Sequence, residues 1–240
     1  MRFTTLLALL SAIPVAAADD SWKDLFAGTK LDAFTGKTDG WKWARSVTLD
    51  PANARKLAFE PGSDTLVNGT KGTAPDLYTK EKYGDLEVHV EFLISKGSNS
   101  GVKFHGLYEI QINDSYGKKG ELTGDDCGGI YPRAELKPRY HYLDKGVAPK
   151  VNACKAPGEW QTLEATFRAP RFDSDGKKTA NARMIRATLN GQVIHEHREL
   201  LTPTGHNHTR PEAGTGPLML QGDHGPVAFR NLRVRVPAEK

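Results

Sequence analysis

The stretch Ser98 to Ser115, SNSGVKFHGLYEIQINDS, decides how this 240-residue chain is read. On both sides of Gly106 it alternates apolar and polar residues with period two. That is the pattern of two short antiparallel strands joined by a tight turn, each with one face buried. The alternation directs Val102, Phe104, Tyr108, Ile110 and Ile112 into a core and sets Lys103, His105, Glu109, Gln111 and Asn113 on the opposite face. Antiparallel sheets commonly show one polar face to water. A carboxylate, an amide, an amine and an imidazole on adjacent strands would equally make a floor for a hydroxyl-rich ligand.

The same period recurs outward from this hairpin. Leu86, Val88, Val90, Phe92 and Ile94 alternate with Glu87, His89 and Glu91, which predicts a long half-buried strand. In Trp160 to Ala169 the inward set is Leu163, Ala165 and Phe167. Arg183 to His197 reads as a hairpin hinged at Asn190-Gly191, a strong two-residue turn signal. Trp41, Trp43, Leu57, Phe59 and Leu66 read as short strands separated by turns, and Trp22 to Phe34 leaves strand and short helix both open. Leu218 to Gln221 and Phe229 to Val236 read as closing strands around a turn. Tyr116 to Glu159 is rich in glycine and proline without a period, and so long an irregular segment is usually functional or disordered. Many short strands with Gly/Pro turns predict an all-β, two-sheet antiparallel sandwich.

Residues 1–18 read as a secretory signal: Arg2 is the positive start, Leu6 to Ala12 the apolar run and Ala16-Ala17-Ala18 the small-residue cleavage site. Residues 19–240 then form one domain, secreted or periplasmic. No later stretch reaches the roughly 18 apolar residues of a transmembrane helix. The net charge of +4 is spread thinly, with no Lys/Arg block, which argues against a nucleic-acid partner. Cys127 and Cys154 are the only cysteines, and such a pair in an exported protein predicts a disulfide.

Several phrases carry more than periodicity: GSNSGVKF (97–104), YEIQINDSYG (108–117), CGGIY (127–131), PGEWQTLEATFRAPRFDSDGK (157–177), LNGQVI (189–194), LTPTGH (201–206) and LQGDHGPVAFRNLRVR (220–235). In this order they resemble the 3-keto-disaccharide hydrolase domain family, over roughly Asp24 to Pro237. The resemblance implies a jelly roll of the concanavalin A-like lectin/glucanase type whose concave sheet takes a carbohydrate substrate. It also implies cleavage of glucosides already oxidised to a ketone at C3. A C3 ketone acidifies the C2 proton, so a base removes it, the C1 substituent leaves and water adds to the enone. Such chemistry needs a base near C2, an acid near the glycosidic oxygen and donors for the enolate oxygen, rather than the paired carboxylates of a retaining glycosidase.

Carried over residue by residue, Glu109, Gln111 and Asp114 stand at the polar positions of the family's Tyr-Glu-x-Gln-x-x-Asp phrase. Gln221, Asp223 and His224 stand in its Leu-Gln-x-His-Gly phrase, lengthened here by a glycine. Glu109 and His224 are the candidate acid/base pair. The plainer alternatives are a Glu109 that pairs with Lys103 across the hairpin and a His224 that bonds the turn backbone. Lys103, His105, Gln111, Asp114, Tyr131, Gln221, Asp223 and Arg230 are candidate substrate contacts. For Asp114 a turn cap competes, and for Arg230 a tie between the closing strand and its neighbour. No cofactor is expected. His206 and His208 form a weak metal motif, and calcium held by Asp125 or Asp126 leaves no sharp sequence mark. A non-catalytic carbohydrate-binding module is the alternative function, because fold alone never settles activity. An ordinary glucanase acting on unoxidised polysaccharide is a third.

Overall fold

The computed structural model of the chain describes residues 21–238. The expected signal segment lies outside them. Seventeen strands and no helix occur among the described residues. The first six are β1 (Lys23–Asp24), β2 (Phe34–Thr35), β3 (Lys42–Asp50), β4 (Asn53–Val67), β5 (Leu77–Tyr83) and β6 (Leu86–Ile94). The central hairpin is β7 (Asn99–Phe104) and β8 (Tyr108–Asn113), followed by two short strands, β9 (Ala134–Glu135) and β10 (His141–Tyr142). Then come β11 (Gln161–Arg168), β12 (Arg171–Phe172), β13 (Lys178–Ala180), β14 (Ala182–Leu189), β15 (Gln192–Leu200), β16 (Gly216–Leu220) and β17 (Val227–Arg235).

Two antiparallel sheets make the sandwich. The larger runs β15-β14-β11-β6-β17-β4-β3, with β1 added on β17, and the smaller runs β2-β5-β16-β7-β8. Strict alternation in β6 buries Leu86, Val88, Val90, Phe92 and Ile94, none more than 1% exposed. Val102, Phe104, Tyr108, Ile110 and Ile112 meet them from the smaller sheet, so the hairpin's apolar face is in the core as its pattern predicts. Phe104 stacks on Phe167 across the sandwich, ring centroids 5.0 Å apart. Burial of such aromatic and branched side chains, about 1.5–3 kcal/mol each, is the main force joining the sheets.

Two departures from the sequence reading have physical reasons. The short strands expected around Trp43 and Leu57 are one long hairpin, β3–β4, whose register shifts at Ala44. Pro61-Gly62-Ser63 looks like a turn in the sequence, yet it is a bulge where the backbones approach so closely that a methyl at Gly62 would strike Arg45. Val47 and Leu57 of this hairpin pack with Leu93 and Ala228, so these two are buried although they point away from the main core. The closing strands also do not pair with each other. β16 belongs to the smaller sheet and β17 to the larger, so the turn between them crosses the sandwich. Buried Asn68 fastens that crossing. Its amide donates to the carbonyls of Gly222 and Gly225, each at 2.8 Å, and its oxygen accepts the Val227 N–H at 2.8 Å.

Candidate active site

Lys103 and Glu109 are direct cross-strand partners on β7 and β8. Their side chains stand on the outer face of the smaller sheet, Nζ to Oε2 3.1 Å, with Glu109 only 3% exposed. Burial pushes the Glu109 carboxyl above the usual carboxylate range against the pull of Lys103. Lys103 would lose basicity through burial, but Glu109 and Asp76 carry it upward. Gly101, one position along β7 in the outward set, makes the room: a methyl there would collide with Glu109 Oε1. The plainer alternative, a Lys103–Glu109 pair across the hairpin, therefore exists, and it sits inside a cavity of about 230 Å³.

That cavity is lined by Asn99, Lys103, Glu109, Tyr131, Tyr140, Gly205, His206, Asn207, Gln221 and His224. Its walls come from irregular chain pinned to the hairpin. Segment 128–131 covers the free edge of β8, with the Gln111 N–H donating to Gly129 O at 2.8 Å and the Tyr131 N–H to Glu109 O at 3.1 Å. The 202–215 loop is tied by Thr204, whose hydroxyl accepts the Glu109 N–H at 3.1 Å and donates to Leu107 O at 3.0 Å. The turn after β16 brings Gln221 and His224, and Asp76 fixes it by accepting the Gly222 N–H at 2.9 Å.

His224 Nδ1 is hydrogen-bonded to the Asp223 carboxylate. A carboxylate only accepts, so Nδ1 carries the proton and Nε2 keeps a lone pair, the tautomer a general base needs. Gln221 Nε2 lies 3.2 Å from the same nitrogen, Nδ1, and does not donate to it in this tautomer. Gln221 and Asn207 line the cavity, while their side-chain oxygens are buried without a hydrogen-bond partner.

Other predicted contacts lie elsewhere. His105 does not share the polar face. The turn is a three-residue loop with φ of 55° at His105 and 66° at Gly106, which breaks the alternation. Its ring instead packs 5.1 Å from Phe167, and burial lowers its basicity. Arg230 is on the larger sheet, bonded to Glu91 at 2.7 Å and lying 4.0 Å over Trp160. Asp114 caps the turn by accepting the Gly97 N–H at 2.8 Å. Gln111 is buried beside the cavity rather than lining it, and it donates to Asp125 at 3.0 Å. Cys127 and Cys154 are buried neighbours but free thiols, not the expected disulfide.

Of the two candidate carboxylates for calcium, Asp126 is held by Lys118 at 2.7 Å and by Thr123, and Asp125 accepts from Gln111. Among the described residues no group of three or more His, Cys, Asp or Glu is placed to hold a metal ion. His206 reaches the cavity, whereas His208 bonds Gly205 O at 3.1 Å. Asn99, Tyr140, Asn207 and Asp76 were not singled out from the sequence. Asn99 sits inside the 97–104 phrase, and the two-residue spacing of Tyr140 and Tyr142 was the available hint of a strand; Asp76 and Asn207 carry no such signal.

A search of curated proteins finds no match. Among solved structures, a candidate glycosyl hydrolase from Parabacteroides distasonis is similar at 24% identity and TM-score 0.66, covering 96% of this chain and 94% of that one. A second from the same organism has 19% identity and TM-score 0.58, covering 90% and 100%. These likenesses establish the shared fold. The family profile described as a 3-keto-alpha-glucoside-1,2-lyase-like domain matches residues 21–235, nearly all of the described chain. With its all-β sandwich and that match, this chain belongs to the 3-keto-alpha-glucoside-1,2-lyase-like domain family.

Proposed function

We propose that the protein is an exported enzyme that cleaves the glycosidic bond of 3-keto-glucosides by elimination across C1–C2, with water adding to the product. The observation that carries this reading is the placement in one cavity of a desolvated carboxyl and an imidazole. Glu109 is desolvated and held high, and His224 is oriented by Asp223. A carboxyl held high by burial suits the acid, and an imidazole whose Nε2 is not engaged by Asp223 suits the base.

His224 Nε2 takes the C2 proton. The electrons of that bond form the C1–C2 double bond as the C1–O pair leaves with the glycosidic oxygen, which takes the Glu109 proton. Lys103, 3.1 Å from Glu109, meets the negative charge that builds on the C3 oxygen. Water then adds its hydroxyl to C1, Glu109 recovers a proton from that water, and His224 returns its own to C2. Both groups are reset. Gln221 and Asn207 face the sugar from the cavity wall.

The test compares methyl 3-keto-glucoside with unoxidised methyl glucoside, following methanol release. Turnover of the oxidised sugar alone is expected, and Glu109→Gln should lower it about 10²–10⁴-fold while the sugar still binds. Equal turnover of both sugars would make the protein an ordinary glucosidase. Binding with no turnover by the parent would make it a carbohydrate-binding module.

A further inference from the structure

The Glu109 cavity is too small for a whole glycoside. At about 230 Å³ it falls below the roughly 300–1,000 Å³ of pockets that engulf drug-sized ligands, so it accommodates about one sugar ring. The substituent on C1 must leave across the rim. Three tyrosines stand there. Tyr131 and Tyr140 line the cavity, and Tyr142 of β10 joins them. The Tyr131 hydroxyl lies 2.8 Å from that of Tyr140 and 3.1 Å from that of Tyr142. Their rings are fixed edge to face: Tyr131 and Tyr142 at 5.7 Å and 86°, Tyr140 and Tyr142 at 5.8 Å and 79°.

This cluster is not core. Tyr140 and Tyr142 stay 47% and 44% exposed, and Leu136 and Leu143 of the same hairpin are 57% and 42% exposed. The Tyr131 hydroxyl bonds those of Tyr140 and Tyr142, and that of Tyr142 also faces Asp125. What the rim offers a ligand is therefore ring surface, with few free donors. A second sugar needs donors and acceptors around it, whereas a flat apolar ring needs only a surface to stack on.

We propose that Tyr131, Tyr140 and Tyr142 form the leaving-group subsite of this cavity and that they select glucosides carrying an aromatic aglycone. The proposal rests on the glycoside-cleaving reading above for the identity of the sugar. The residues that set specificity are then on the β9–β10 hairpin, apart from the proton-transfer groups.

The experiment measures dissociation constants of phenyl and methyl 3-keto-glucoside by calorimetry on Glu109→Gln protein, alone and combined with Tyr142→Ala or Tyr142→Phe. Binding avoids the better leaving ability of phenol, which would distort turnover ratios. The phenyl compound is expected to bind about tenfold tighter, the gain of one aromatic contact. Tyr142→Ala should remove that preference with thermal unfolding unchanged, and Tyr142→Phe should keep it. Equal affinities in the parent, a preference that survives Tyr142→Ala, or one lost in Tyr142→Phe would overturn the subsite, as would failure of either sugar to bind. Turnover of methyl 3-keto-glucoside by the unaltered protein tests the underlying reading separately, because it does not involve the aromatic group.

Discussion

Glu109 owes its position to a residue with no side chain. Its carboxyl lies over Gly101 on the neighbouring strand, in a space that a single methyl would fill. Gly101→Ala should push the carboxyl aside by about 1 Å and lower turnover about a hundredfold. Because the displaced atom is the end of a flexible side chain, circular dichroism should be unaltered; full activity would mean that carboxyl placement is unimportant. Single residues were also where the sequence misled. His105 fits the alternation on paper, but a positive φ at the turn sends its ring among Tyr108 and Phe167. Arg230 occupies an outward position too, on the other sheet, where Glu91 claims it. Period two reports which residues share a face, and it does not report which sheet that face belongs to.

At the scale of elements, the site depends on irregular chain held by buried polar residues. The Asn68 side chain makes three hydrogen bonds to the 222–227 turn that carries His224. Asn68→Ala would strand those groups in the interior, at about 1–3 kcal/mol for each left unsatisfied. The expected result is a lower urea midpoint, corresponding to several kcal/mol of lost stability, and loss of turnover; an unchanged midpoint would mean the turn holds itself. His195 does similar work for the 128–131 segment through its 2.7 Å bond to Gly128 O, and burial lowers its pKa to about 4. The unfolded chain, with a histidine near 6.5, binds a proton that the folded chain refuses between those values. Stability is therefore complete above pH 6.5 and falls as the pH drops toward 4, by about 3 kcal/mol for the full interval. Unfolding followed across this range should show that His195→Gln, which keeps a donor for Gly128, has a shallower acid dependence. Equal slopes would remove His195 as the cause. β6 and β11 were legible because one-sided burial imposes their pattern, and β7 and β8 because they keep the apolar-polar alternation although loops also bury their polar face. The β3–β4 hairpin was not, because its bulge residues imitate a turn.

For the whole molecule, the sandwich gives a rigid floor and the loops supply three walls. The floor was readable: Lys103 and Glu109 stand where alternation and family phrases put them. The walls were readable only in part: Tyr131, Gln221 and His224 stand in the family phrases, whereas Tyr140 and Asn207 reach the cavity through chain without periodicity and are assembled by tertiary contacts alone. The reading of that assembly makes one commitment, that the C2–H bond breaks before or with departure of the aglycone. The most direct measurement is kcat/KM for methyl 3-keto-glucoside carrying hydrogen or deuterium at C2, with solvent exchange at C2 monitored in parallel. The elimination account predicts a normal primary isotope effect, enlarged when His224 is replaced by Gln. Aglycone release that proceeds at equal rates for both isotopologues, with deuterium retained at C2 in the product, would contradict it.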